Sequence, residues 1–178
     1  MKIALILVLA TFLYGDFKQD IFKLYQDKKY SKVCNLGYKN FTKLKNDEKF
    51  ISLYAFACLK SDYIDMLSVP ITKLKQSKES RANASYFSII LMQKKLLYYA
   101  MVDGYDISSL NLPSTDYVLS KAFDFYIKQN RKKDIYIFND DKNNRISYKL
   151  SLTKKRGIYK IVIDEFYDNK FVKKHIYW

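Results

Sequence analysis

Histidine, glycine, proline and cysteine are scarce in this chain of 178 residues, which has one His, four Gly, two Pro and two Cys. A single His cannot supply the His-rich or His/Glu donor sets of catalytic zinc sites. The four glycines stand apart from one another, so the chain lacks a glycine-rich loop that could hold a phosphate group. Since no catalytic or cofactor motif is present, we expect a protein that is not an enzyme and has no metal or cofactor.

Arginine is scarce too, although the chain is strongly basic: 28 of its 32 basic residues are Lys, against 18 acidic residues. Recognition of phosphate groups and bases usually depends on Arg at defined positions. The lysines are spread over every segment, so we expect the charge mainly to favour solubility, with no specific nucleic-acid site. Peripheral contact with an anionic membrane surface stays open for a chain of net charge +14.

The first fifteen residues have the layout of a secretory signal peptide. One Lys precedes an apolar run from Ile3 to Tyr14, and Gly15 follows the run. The run is shorter than the roughly 20 residues that a membrane-spanning helix needs. We expect cleavage after Gly15 and export to the periplasm. An uncleaved anchor stays open, because Leu13 is poorly suited to its place before the cut.

Residues 16–76 show the three-and-four spacing of apolar side chains that predicts amphipathic helices. The pattern repeats after 33 positions, so that Phe17 corresponds to Phe50. A period in the low thirties with one helical hairpin per unit resembles the tetratricopeptide and Sel1-like class of helical repeats over residues 16–75. The resemblance implies successive helical hairpins, each packed against the next.

The two cysteines lie in this repeat-like region, 24 positions apart, each on the apolar stripe of a predicted helix. In an array of helical hairpins, the second helix of one unit packs on the first helix of the next, so Cys34 and Cys58 would meet. Export to an oxidising compartment then favours a disulfide between them. Two buried, unreactive thiols are the alternative.

The apolar spacing within residues 77–130 predicts a long helix followed by a shorter one. Ser77 can cap the long helix, which we expect to end at Gly104, and Ser114 or Thr115 can cap the second. The polar stretch at residues 130–133 marks a boundary.

Residues 134–178 change to an apolar period of two, which predicts half-buried strands. The clearest strand has an apolar row formed by Ile146, Tyr148, Leu150 and Leu152. Three neighbouring runs and short turns predict a four-stranded antiparallel meander, which the preceding helices would cover on one face. The predicted fold class is therefore α+β, with N-terminal helical hairpins followed by a β-meander packed on the helices.

The stretch from Arg145 to Phe166 resembles the last hairpin of nuclear-transport-factor-2-like domains. In those domains a Gly-x-aromatic-Lys-Ile run opens the returning strand, and Gly157 to Ile161 has this pattern here. The resemblance implies a twisted hairpin at this place.

The C-terminal strands carry the candidate interface residues. We expect one face of the meander to be covered and the other face and free edges to bind a partner, with His175 on the surface. The candidates are Lys149, Lys160, His175, Tyr177 and Trp178.

These features favour an exported, non-enzymatic scaffold protein that docks on a protein partner in a larger cell-envelope assembly. Small basic periplasmic chains with degenerate helical repeats resemble accessory scaffold components of flagellar motors, which implies the flagellar motor as one such assembly. The alternative is a periplasmic carrier that binds a lipid or small apolar ligand between the meander and the helices.

Overall fold

The structure, a computed structural model, describes residues 17–129 and 133–178. Within these ranges seven α-helices precede a four-stranded antiparallel sheet and pack against it, so the α+β prediction is confirmed. The expected signal peptide, residues 1–15, lies outside the described residues, and so does most of the expected boundary at residues 130–133.

The N-terminal part is built from short helices joined by tight turns. The helices are α1 (residues 17–26), α2 (Tyr30–Lys39), α3 (Phe41–Leu44), α4 (Glu48–Lys60), a 3-10 helix (Ile64–Leu67) and α5 (Ser68–Lys73). The turn after α1 and the turn after α4 each contain one left-handed residue, Lys28 with φ 57° and Asp62 with φ 63°. Pro70 lies in α5, which is only six residues long, as expected where proline interrupts a helix.

Helices α2 and α4 are joined by the predicted disulfide. Cys34 and Cys58 are bonded, their Cα atoms are 4.8 Å apart, and both side chains are fully buried. Gly37 lets the two helices approach closely, because a Cβ atom at this position would lie 2.4 Å from the Tyr54 ring. The predicted pairing is therefore confirmed, and it lies at a tight helix interface.

The long helix α6 (Lys78–Asp103) has the predicted ends. The Ser77 hydroxyl accepts a hydrogen bond from the Ser80 amide at 3.0 Å, and Gly104 ends the helix in the left-handed conformation with φ 78°. Both are common helix boundaries.

Helix α7 (Val118–Tyr126) begins later than its sequence suggested. The Ser114 hydroxyl bonds the Asp124 carboxylate, and the Thr115 hydroxyl accepts from the Tyr117 amide at 3.3 Å. The two candidate caps are thus used in the preceding loop.

The sheet is a meander with the order β1-β2-β3-β4, all neighbours antiparallel. Its strands are β1 (Ile135–Asn139), β2 (Ile146–Lys155), β3 (Ile158–Tyr167) and β4 (Lys170–Tyr177). Two-residue turns join β2 to β3 and β3 to β4, and all four of their residues have positive φ, as tight hairpins with matching twist require.

One face of the sheet, the covered face, packs against α6 and α7. Leu150 and Ile163 are paired across β2 and β3 and are fully buried, and Tyr148 is buried beside them. The buried apolar side chains form one continuous core that runs from Ile21 to Tyr177. The predicted cover of the β2 row is confirmed.

Candidate functional site

The candidate site is the face of the sheet that points away from the helices, called here the open face. Successive residues of a strand point to opposite faces, so the register assigns each strand's alternate residues to this face. They include Ile135, Ile137, Ser147, Lys149, Ser151, Lys160, Val162, Asp164, Phe166, Phe171, Lys174, Ile176 and, after the last strand, Trp178.

Apolar side chains on the open face are unusually exposed. Ile137 is 72% exposed and Trp178 is 54% exposed, and Ile135 and Ile176 also count among the exposed large hydrophobic residues. Lys160 holds its ammonium group 4.2 Å from the centre of the Trp178 ring, a cation–π contact that orients both side chains.

Three of the five predicted interface residues, Lys149, Lys160 and Trp178, lie on the open face. The other two lie on the covered face: His175 is 4% exposed and Tyr177 is 1% exposed. The expectation that His175 lies on the surface is therefore wrong. The register pairs His175 with Ile163 and Tyr177 with Ile161, and both isoleucines face the helices.

His175 and Tyr177 belong to a buried polar cluster, the Asp62 network, which also includes Asp62 and Tyr117. The Asp62 carboxylate accepts hydrogen bonds from the Tyr117 hydroxyl at 2.7 Å and the Tyr177 hydroxyl at 3.1 Å, and His175 Nδ1 lies 2.8 Å away. The network fastens β4 to the turn after α4 and to the start of α7.

The electrostatics of the Asp62 network favour an ionised Asp62 carboxylate. Burial opposes ionisation of Asp62, but the hydrogen bond and charge of His175, with help from Tyr117 and Lys173, hold the pKa of Asp62 below its usual range. Burial raises the pKa of Tyr117 and of Tyr177 well above the usual value. Both hydroxyls thus stay protonated and can donate to the carboxylate.

His175 lies between two carboxylates, because its Nε2 atom is 3.4 Å from Glu165. Hydrolases use a His and a carboxylate to activate a nucleophile, which must be hydrogen-bonded to the second ring nitrogen. Here both nitrogens face acids, and within the described residues no Ser, Thr or Cys is hydrogen-bonded to the ring. The arrangement suits an anchor of the sheet.

A second anchor holds the end of β4 to α6. Lys94 is 2% exposed, and its ammonium group donates to Asp65 at 2.6 Å and to the backbone oxygen of Trp178. Burial lowers the pKa of Lys94, and the bond to Asp65 opposes this effect. The backbone of Trp178 is therefore fixed while its ring stays exposed on the open face.

Two clefts lie beside the sheet in the described part of the chain. A cleft of about 470 Å³ is lined by α7 and the turn after β1, with Lys121, Asp124 and Asp140 among its walls. A cleft of about 500 Å³ has Tyr126, Lys133, Asp134 and Tyr136 among its walls. Lys121 forms an ion pair with Asp140, so part of the first cleft's charge is neutralised within the chain.

In the described parts of the chain, no three His, Cys, Asp or Glu residues are grouped so that they could hold a metal ion. Over the same residues, no helix combines the length and apolar character needed to cross a membrane.

No family model, no curated protein and no solved structure matches the chain.

Proposed function

We propose that this protein is an exported, non-enzymatic interaction protein that docks on a larger cell-envelope assembly through the open face of its sheet. The apolar exposure of that face carries the proposal. The solvent face of an antiparallel sheet is usually polar, whereas this one exposes Ile135, Ile137 and Trp178. Ile135 and Ile137 lie on the edge strand β1, and Trp178 follows the opposite edge strand β4; exposed apolar side chains of this size on one face are typical of a protein interaction surface.

The sheet offers a partner a rigid platform. Leu150 and Ile163 are fully buried against the helices, and the Asp62 network and Lys94 fasten β4 from behind. A surface that is ordered before binding loses little conformational entropy in the complex. This property supports docking of a protein partner on the open face.

Two features support a periplasmic location. The N-terminal apolar run has the layout of a signal peptide, and disulfides such as that between Cys34 and Cys58 persist mainly in oxidising compartments. The resemblance to accessory scaffold components makes the flagellar motor one candidate assembly.

The carrier alternative would need an apolar cavity between the sheet and the helices. The clefts of about 470 and 500 Å³ are of ligand size, but charged side chains line both of them. Beside them, Phe123 and Leu150 are fully buried in the core between the layers. These observations favour docking over transport of a lipid.

Site-specific photocrosslinking in the source cells tests the proposal. A photoreactive phenylalanine analogue at Ile137, the most exposed large apolar residue of the open face, should form a discrete crosslink to an envelope protein. The matched control carries the analogue at Phe22, which is half exposed on α1, and should not crosslink to that protein. Trp178→Ala should weaken the crosslink at Ile137. If the analogue at Ile137 forms no crosslink, or if Ile137 and Phe22 give the same crosslinked product, docking through this face is contradicted.

A further inference from the structure

We infer that the partner presents an acidic protein segment, with apolar side chains between its carboxylates, to the open face. The inference rests on the proposed docking function and specifies the chemistry of the partner. It follows from how lysines and apolar side chains alternate across the four strands.

One row of paired positions across the sheet is charged. It runs from Ile137 through Lys149 and Asp164 to Lys174. Asp164 forms an ion pair with Lys174 at 3.2 Å, whereas Lys149 has no ion-pair partner within the described residues. This row therefore offers an excess positive charge to a ligand.

The neighbouring row is mainly apolar and is bordered by cations on both sides. It runs from Ile135 through Ser151 and Val162 to Ile176, and its exposed apolar side chains are Ile135 and Ile176, because Val162 is 6% exposed. The charged row with Lys149 lies on one side, and Lys160 with the Trp178 ring lies on the other. A segment with apolar side chains on the central row would place flanking carboxylates beside the lysines, so both kinds of contact would be satisfied together.

A second copy of this chain fits the open face poorly. In a two-fold symmetric dimer each partner presents the same patch, so the excess positive charge of one open face would lie against the same excess charge of the other. Like charges brought together at an interface disfavour the complex.

An anionic membrane also fits less well than an acidic protein. Lys149 lies within the face, between Ile137 and Asp164, so insertion of the apolar side chains would carry its charge toward the hydrocarbon. Arg145, which could bind a lipid phosphate, is already paired with Asp168 in a two-pronged contact.

Selection of random peptides on phage against the intact chain tests the inference. Enriched peptides should be rich in Asp and Glu with apolar residues between them. Replacing Lys149, Lys160 and Lys174 together by Glu should weaken the binding of these peptides about tenfold or more. Peptides with Lys in place of their acids should bind this variant better than they bind wild type.

Two controls separate the effect of charge from an effect on folding. Replacing the same lysines by Gln removes the charge, and an unchanged melting temperature shows that this variant is still folded. Reversal of the exposed Lys23, Lys32 and Lys39 on α1 and α2 is the matched control.

The outcomes distinguish this inference from the docking proposal. Peptides that bind the open face without acidic residues would overturn the acidic partner and leave docking intact. Peptides that are insensitive to Trp178→Ala, Ile137→Ser and all lysine changes, or no enrichment at all, would count against both. If the lysine changes instead abolish binding to vesicles of phosphatidylglycerol and phosphatidylcholine in equal parts, the partner is a membrane and not an acidic protein. If they abolish self-association, the partner is a second copy of the chain.

Discussion

Trp178 contributes its backbone to the fold and its side chain to the open face. The backbone oxygen is held by buried Lys94, whereas the ring is exposed over Lys160. Trp178→Ala should therefore leave the melting temperature within a few degrees, since surface substitutions usually change stability little. Binding to the partner should weaken clearly, because exposed aromatic anchors often dominate interfaces. Thermal unfolding and co-purification measure the two effects.

Leu150→Asp is the opposite test. Leu150 has no exposed surface on the covered face, so an aspartate there would bury a carboxylate without a hydrogen-bond partner, at a cost of several kcal/mol. Circular dichroism should show an unfolded or aggregated sheet. If this variant melted normally while Trp178→Ala melted far lower, the assignment of the two faces would be reversed.

The last strand shows where the residue pattern is ambiguous. Its alternate sets, His175 with Tyr177 and Ile176 with Trp178, each contain apolar aromatic or aliphatic groups, so a period of two does not say which set faces the helices. In β2 the alternation is unambiguous, because the set that includes Leu150 is apolar and its neighbours are polar. The covered row could thus be predicted, whereas the burial of His175 could not.

At the scale of elements, the disulfide should stabilise the packing of α2 on α4. Closing a loop between positions 24 apart contributes about 3 kcal/mol in the chain-entropy model. Reduction, or Cys34→Ala with Cys58→Ala, should therefore shift the urea midpoint to lower concentration. Mass spectrometry of the unreduced protein should find no thiol that can be alkylated. Two free thiols in protein purified from the source cells without reductant would refute the bond.

The attachment of β4 to the helices should depend on pH through Asp62. The pKa of Asp62 is lowered in the fold, so its ionised form stabilises the protein above the ordinary carboxyl pKa. This contribution is lost as the pH falls through the lowered value, below about pH 4. Asp62→Asn should cost about 1–3 kcal/mol at neutral pH, and the difference from wild type should shrink in acid.

Urea titrations at several pH values measure this dependence. Asp20→Asn, a substitution at an exposed position of α1, should give a small difference from wild type at every pH. A stability gap for Asp62→Asn that stays constant from neutral to acid pH would show that the charge of Asp62 does not matter.

The elements differ in how well their sequence revealed their contacts. Cys34 and Cys58 could be paired because they recur on neighbouring helical stripes. The Asp62 network had no such signal, since Asp62 lies 55 positions from Tyr117 and 113 from His175. Single polar residues at such distances show no periodicity that could indicate a contact.

At the scale of the whole molecule, the sheet should depend on the helices. Its covered face contributes Tyr148, Leu150 and Ile163 to the continuous core, and an isolated meander would expose these residues to water. Residues 134–178 alone should therefore aggregate or remain poorly folded. Nuclear magnetic resonance spectra of this fragment should show little dispersion, whereas the full chain should give a dispersed spectrum. A well-folded fragment would show that the sheet is an independent domain.

The anchoring of β4 also sets an order of assembly. Asp62 is contacted by His175 and Tyr177, which lie 113 and 115 positions further along the chain. The helices and Tyr117 can contact one another early, whereas His175 and Tyr177 can contact Asp62 only when β4 has joined the sheet. Contacts of such long range close slowly, so β4 should join the sheet late in folding, and until then the open face should not exist as a binding surface.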